Sequence, residues 1–416
     1  MSKETLAPRL VPGQRTSRSF SVLRHRDYRL LWSAEFISTI GTQMQRVAVA
    51  WQIYQITGDA FKLGLLGLVR FAPIVIFGLF GGVLADQRDR RLLLTVTQLI
   101  LCGVSGILAL ASARGFASLW LLYTITFFAA AFAAVAGPSR QALIPALVPR
   151  DELAGAMSLN VFAMQAATVS GPAIGGWLIA QGGVQVVYLI DAISFLFVVA
   201  AVQLMRTRTA PSGATVGTFA AAVEGFHFLW KSPVLLGVMT VDFVATFCAA
   251  SVVLMPIFAT EILHVGPRGL GFLLAAPAAG AVVGGFVMSL ARIPPRPGAG
   301  VLLAIVLYGV AVTLFGLSTN YALSLVLLAL GGAADAVSMA LRSTIRNLVT
   351  PDQLRGRVAA THSMFAMGGP QLGEFESGVA ASVLGAGPAV ALGGIGTLIA
   401  TGLVGWFVPA IRRYRV

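Results

Sequence analysis

The sequence predicts an all-α polytopic membrane protein, with twelve transmembrane helices in two six-helix, pseudo-symmetric bundles. Three observations lead there: charge is scarce, apolar segments recur at membrane length, and basic residues gather in every second loop. Charged residues make up 11% of the 416 and hydrophobic ones 57%, with a mean hydropathy of +0.85. A soluble domain carries about 25% charged residues. A helix needs about 20 apolar residues to cross a hydrocarbon core, and such segments run along the whole chain. The ten-residue alternation of a membrane barrel is absent from the sequence.

Helices 1 to 12 are expected near 30–54, 63–85, 92–113, 117–137, 157–181, 184–205, 234–260, 268–291, 300–318, 321–342, 358–384 and 388–410. Helix 1 follows a basic arm, lacks an Ala-x-Ala cleavage site and exceeds a signal-peptide core in length, so it is read as retained. Polar residues interrupt the sixth and seventh helices. Arg9, Arg15, Arg18, Arg24, Arg26 and Arg29 precede helix 1, and Arg88, Arg90 and Arg91 follow helix 2. Arg140 and Arg150 follow helix 4, Arg206, Arg208 and Lys231 follow helix 6, and Arg292 and Arg296 follow helix 8. Arg342, Arg346, Arg355 and Arg357 lie between helices 10 and 11, and Arg412, Arg413 and Arg415 close the chain. The opposite loops hold Lys62, Arg114 and Arg268. The positive-inside rule places the basic loops and both termini in the cytoplasm. The expected location is therefore the cytoplasmic (inner) membrane, crossed many times.

The same bias accounts for the net charge of +13 as a charged face held at an anionic leaflet, without a nucleic-acid partner. Cys102 and Cys248 fall inside helices, which argues against a disulfide framework. The four histidines lack metal-ligand spacing, and no phosphate-binding G-x-x-x-x-G-K-[ST] loop is present. Neither a metal, a cofactor nor an enzymatic activity is expected. The expected partners are a small-molecule substrate, a coupling ion such as the proton, and the bilayer, with the chain acting as a monomer.

Residues 1–29 form a cytoplasmic basic arm, 30–205 the first bundle, 206–233 a cytoplasmic linker, 234–410 the second bundle and 411–416 a cytoplasmic tail. The linker is the longest polar interruption and contains Pro211, Ser212 and Gly213. An internal repeat supports this division. Ile144, Leu147, Val148, Asp151, Leu153 and Gly155 match Ile345, Leu348, Val349, Asp352, Leu354 and Gly356 at one constant offset. Both sets fall between the fourth and fifth helix of their half. In the second copy, Thr350-Pro351-Asp352-Gln353 reads as a capping box with Pro at the first helical position. Six-helix repeats of this kind place a binding site between the halves near the midplane.

Gly81-Gly82-Val83-Leu84-Ala85-Asp86-Gln87-Arg88-Asp89-Arg90-Arg91, after helix 2, resembles the G-x-x-x-D-x-x-x-R-[KR] loop of the major facilitator superfamily. The equivalent loop after helix 8, Arg292 to Arg296, has lost the pattern. In helix 5, Gly171, Pro172, Gly175 and Gly176 resemble the G-P-x-x-G-G element of superfamily antiporters, where Gly and Pro permit a kink and tight packing against the other half. Helix 11 carries a degraded copy from Gly369 to Glu374. The stretches 20–24, 191–195, 354–358 and 373–378 are similar to the branch holding enterobactin exporters and related drug-efflux proteins. The resemblance covers nearly the whole chain. It implies two six-helix bundles rocking about a central cavity, usually driven by protons, with Gly82, Asp86, Arg90 and Arg91 acting as a conformational gate. It also implies that helices 1, 4, 7 and 10 line the cavity.

An ionisable group at a helix centre costs about 2.5–3.5 kcal/mol on insertion scales. In helix 1, Glu35, Thr39, Thr42 and Arg46 follow steps of four, three and four and share a face. Asp242 and Thr246 do the same in helix 7, and Asp335, Ser338 and Arg342 in helix 10. Helix 11 offers Ser363, Met367, Gln371 and Glu374, with Glu376 on another face. Asp242 and Glu374 are the leading proton-coupling candidates, ahead of Glu35, Asp335 and Glu376. Arg46, Thr39, Thr42 and Thr246 are the candidates for the substrate cavity. The bland alternatives are snorkelling of Glu35 and Arg46 to the two surfaces, and a cap or a pairing for Asp191 near the outer end of helix 6.

The expected function is proton-coupled antiport of an amphipathic small molecule, a siderophore or a drug, by alternating access. An importer or facilitator on the same fold is the alternative, and a non-transporting membrane sensor is a third reading. A sensor calls for a sizeable soluble output domain, and the polar stretches here are short. Export is favoured over import only through the resemblance of the Gly171-Pro172 element.

Overall fold

The computed structural model describes residues 19–87, 89–207, 230, 232–291, 294–351 and 354–415, with side chains described except at 19–20, 78–87, 138, 142, 355–357, 359–361 and 363–367. The expected arm through residue 18, most of the linker, Arg88, the side chain of Asp86 and the surroundings of Gly82 lie outside that description. The described residues are helical, with no strand among them. A 3₁₀ turn, Ser19–Arg24, leads into α1 (Arg26–Thr57), α2 (Ala60–Gln87), α3 (Arg90–Ala113), α4 (Leu119–Leu147), α5 (Leu153–Gly182) and α6 (Val184–Leu204). The second half holds α7 (Pro233–Cys248), α8 (Gly266–Leu290), α9 (Pro297–Leu317), α10 (Tyr321–Val349), α11 (Arg355–Leu384) and α12 (Ala386–Phe407), then a short α13 (Pro409–Arg413).

Ten spans among the described residues are long and apolar enough to cross a membrane, counting Pro233–Ile262 as one. The long helices outside that set are α1 and α11, of 32 and 30 residues. Their length suffices, but polar side chains dilute their hydropathy. These are the helices that carry Glu35, Arg46, Gln371 and Glu374.

Pairing of helices repeats between the halves. In the first, α1 packs on α5 and α6, α2 on α4, and α3 on α4 and α6. In the second, α7 packs on α11 and α12, α8 on α10, and α9 on α10 and α12. Each pairing is the other shifted by six helices. The halves meet along two seams, α2 against α11 and α5 against α8.

Small residues make the seams. A side chain on Gly176 would lie 2.8 Å from the Gly271 Cα, and one on Gly64 would lie 2.7 Å from the Gly378 Cα. The same principle holds within halves: Gly171 and Gly175 of α5 abut Gln43 and Met44 of α1, and Gly369 and Gly373 of α11 abut Thr246 and Phe247 of α7. Without a hydrophobic force between helices in lipid, such close backbone approach supplies the packing.

Four expectations need correction. Helices 4 and 10 do not end at 137 and 342 but run on to Leu147 and Val349. Their charged residues end the apolar run without ending the helix, and the chain turns only at Pro149 and Pro351, which disfavour helix in the residue before them. Helix 7 is broken. The α7 ladder stops at Cys248, followed by a 3₁₀ turn (Val252–Leu254), one α turn (Met255–Ile257) and a π turn (Phe258–Ile262). Pro256 has no N–H to give to Val252, and the π turn closes with Leu263 N–H donating to Phe258 O at 2.8 Å. The capping box with Pro351 as first helical residue is not formed: helix 11, expected from 358, begins at Arg355 after a turn in which Leu354 N–H donates to Pro351 O at 2.9 Å. Thr350 therefore ends α10 instead of capping α11; Asp352 and Gln353 lie outside the described residues.

The basic ends of α1, α5 and α6 are clamped together. Arg24 pairs with Glu152, and His25 Nε2 lies 3.0 Å from the same carboxylate. Asp27 accepts from Arg206 N–H at 2.9 Å, Thr207 N–H at 2.8 Å and Thr207 Oγ1 at 2.7 Å. Burial pushes the Asp27 carboxyl up, but those bonds and Arg26 outweigh it and hold it below the usual carboxylate range. Arg91 donates to Thr207 O at 3.3 Å and to Val202 O.

Candidate functional site

Between the halves lies a cavity of about 890 Å³. It is lined from the first half by Thr42, Arg46 and Arg70 and from the second by Asp335, Gln371 and Glu374. The Gly64–Gly378 and Gly176–Gly271 contacts close it at the end away from the basic loops. Toward the basic end it reaches Arg140 and Met339. A further tie at the closed end joins α1 to the broken helix 7, where the Tyr54 hydroxyl donates to Glu261 in the π turn.

Three charged groups stand around this space. At the α2–α11 seam, Arg70 Nη1 lies 3.6 Å from Glu374 Oε2, an ion pair too long for a hydrogen bond. Arg46 is near enough to both to interact electrostatically, yet among the described residues it makes neither a hydrogen bond nor an ion pair. Arg46 sits deep in the bundle, and its exposed side chain faces the open cavity. In the second half, Arg342 pairs with Asp242 and lies 3.4 Å from Asp335 Oδ1, so one buried guanidinium serves two carboxylates. On the basic side, Arg140 Nη1 donates to Glu35 Oε2 at 3.0 Å.

The candidates therefore divide. Arg46, Thr42, Asp335 and Glu374 line the cavity. Asp242 is buried behind it, held by Arg342. Glu35 is tied to α4 through Arg140 rather than reaching solvent alone. Thr39 returns its hydroxyl to Glu35 O at 2.7 Å, and Thr246 to Asp242 O at 2.9 Å. Thr246 also faces Gly369 of α11, which puts it in helix packing. Glu376 is turned toward Ser377 and Cys248. Gly171 and Gly175 pack on α1, while Pro172 O and Gly176 meet Gly271 of α8. Arg91 donates to carbonyls of Val202 in α6 and Thr207 just after it, in its own half, and Arg90 begins α3.

Asp191 is paired, but by a hydroxyl rather than as a cap. It neither caps α6, whose N-cap is Gly183, nor forms an ion pair among the described residues. Its side chain is 0% exposed. Ser105 Oγ donates to its Oδ2 at 2.8 Å, and Gln45 Nε2 donates to that Ser105 at 2.7 Å. A side chain on Gly41 would come within 2.8 Å of Asp191 Oδ1. The glycine thus makes room for the carboxyl.

Arg70 is the residue that sequence reasoning passed over. It is a lone cation inside the apolar run of α2, and an intramembrane charge is itself a signal for function.

The model of the family described as transmembrane secretion effector matches residues 17–412. The enterobactin exporter EntS of Escherichia coli O1:K1 / APEC is 28% identical over 392 residues, covering 94% of each chain. Its counterpart in Shigella boydii serotype 18 matches to the same extent. Among solved structures, a bacterial homolog of the human lysosomal transporter Spinster, inward-facing and unoccupied, superposes with a TM-score of 0.73 at 16% identity, over 97% of this chain and 100% of that one. A POT family transporter in complex with 5-aminolevulinic acid gives 0.77 at 11% identity, over 93% and 97%. These likenesses show the fold: a multi-pass α-helical bundle of the transporter type, in a family whose members are not enzymes. A match spanning nearly the whole chain settles the assignment, and the protein belongs to the transmembrane secretion effector family within the major facilitator superfamily.

Proposed function

We propose that the chain is a proton-coupled exporter of an amphipathic small molecule, and that this conformation is its inward-open state. One observation carries the reading: a cavity between two pseudo-symmetric halves, closed at one end by glycine contacts and bordered by charged residues. If the basic loops face the cytoplasm, the cavity opens inward, where an exporter collects its substrate. The likeness to enterobactin exporters over 94% of the chain favours export and a siderophore-like substrate.

Coupling needs a carboxyl that is neutral in one state and charged in the other. Desolvation favours the neutral form and a nearby cation the charged form, and a rocking motion alternates the two environments. Glu374 has the geometry for this, since its partner Arg70 belongs to the other half and parts from it when the seam opens. Asp242 and Asp335 share Arg342, so protonating either one redistributes that cation. In the gate motif, Asp86, Gly82, Arg90 and Arg91 would hold the basic ends together in the outward-open state. In the present state Arg91 donates instead to the carbonyls of Val202 and Thr207, at the end of α6.

The test is transport in inverted membrane vesicles with an imposed pH gradient. Interior-acid vesicles holding the protein should accumulate members of a siderophore and drug panel, and a protonophore should abolish the accumulation. Accumulation without a gradient, or only with the gradient reversed, contradicts proton-coupled export.

A further inference from the structure

We propose that the cavity contains an anion-binding subsite built from Arg46 and Arg70, and that the transported molecule is an amphipathic acid whose anionic group displaces Glu374 from Arg70. The proposal rests on reading the cavity as the transport site and adds the chemical class of what enters it.

Charge balance around the cavity leads to this. Arg140 is satisfied by Glu35 at 3.0 Å. Asp335 and Asp242 share Arg342, and Arg346 lies close enough to interact with Asp242. At the α2–α11 seam the balance fails, with two guanidinium groups facing one carboxylate. Arg46 makes no hydrogen bond or ion pair among the described residues, and it presents its surface to the cavity. An uncompensated cation inside a membrane bundle is costly, and it marks a substrate path or a counter-ion site. Guanidinium groups match carboxylates and sulfonates with paired donors.

The Arg70–Glu374 contact is the second part of the argument. At 3.6 Å it is an ion pair without a hydrogen bond, and Glu374 Oε2 accepts none among the described residues. Arg70 is therefore held loosely enough to turn toward a stronger acceptor. An anion bridging Arg46 and Arg70 balances both cations and competes with the Glu374 carboxylate for Arg70. That links substrate binding to the seam where α2 of one half meets α11 of the other. Ala130, Ala134, Leu274 and Met339 give the same cavity an apolar wall that suits the body of the molecule.

The experiment titrates the full-length, detergent-solubilised protein with two fluorescent probes of equal shape, anionic dansylglycine and neutral dansylglycinamide. Wild type should bind the acid about tenfold more tightly than the amide. Arg46→Gln and Arg70→Gln should each bring the acid down to the level of the amide and leave the amide unchanged. Arg46→Lys should retain most of the preference, and Glu374→Gln, by removing the competing charge, should tighten the acid several-fold. Equal affinity of wild type for the two probes, no binding of the acid, or loss of both probes together in a folded Arg46→Gln protein overturns the proposal. Binding is read without transport, so an acid bound as described but not exported leaves the subsite standing and removes the export reading instead.

Discussion

Arg342 holds two carboxylates at the back of the cavity, Asp242 from α7 and Asp335 from its own helix. Removing one member of a buried ionic group costs more than the group contributes as a whole, because the remaining charges lose their compensation. Arg342→Gln is therefore expected to destabilise the protein by about 3–5 kcal/mol. Adding Asp242→Asn should restore a substantial part of that. Thermal unfolding of the purified variants measures both. Additive losses in the double variant would show that Asp242 and Arg342 are not energetically coupled. Both residues are visible in the sequence as ionisable positions that share a helix face with other polar residues, and only the family resemblance implies that helices 7 and 10 line the cavity. Their pairing was not visible, because it depends on how α7 meets α10. Arg70 was overlooked for a different reason: it shares no stripe with other polar residues, and only its partner on α11 explains it.

At the scale of elements, α5 and α8 approach through Gly176 and Gly271, and a Cβ on Gly176 would meet backbone rather than a movable side chain. Gly176→Val should push the two helices apart at the closed end and bias the protein away from the present state, by about 1–3 kcal/mol of overpacking. With Cys102 and Cys248 replaced, an Ala134→Cys reporter in the cavity should then react more slowly with a cytoplasmic thiol reagent. Unchanged reactivity in a folded variant would mean that this contact does not set the conformation. The glycine element itself was legible from residues 171–176, since only small residues allow such an approach. Helix ends were less legible. Hydropathy marks where the apolar run stops, so α4 and α10 were drawn ten and seven residues short. The break in helix 7 left a trace in the sequence, since Ser251, Pro256, Thr260 and Glu261 interrupt the apolar run, but hydropathy alone did not show that the helix changes to 3₁₀ and π turns there. A π turn there is the kind of local distortion found at functional sites, and Tyr54 joins it to the other half through Glu261.

For the molecule as a whole, the pairing of helices in one half repeats that in the other, and the two seams are related in the same way. Two alike halves around one cavity can exchange which end is closed, which is the physical content of alternating access. The charges at the seam then decide whether that exchange is linked to protons. Glu374 spans the halves through Arg70, while Asp242 lies within one half, so the two report on different steps. The most direct measurement compares substrate accumulation in interior-acid inverted vesicles carrying wild type, Asp242→Asn or Glu374→Gln, alongside substrate exchange at equal pH. Proton-coupled export predicts that each variant loses gradient-driven accumulation while keeping its fold and its exchange. Full gradient-driven accumulation in both variants would contradict it and leave these carboxylates as structural ion-pair partners.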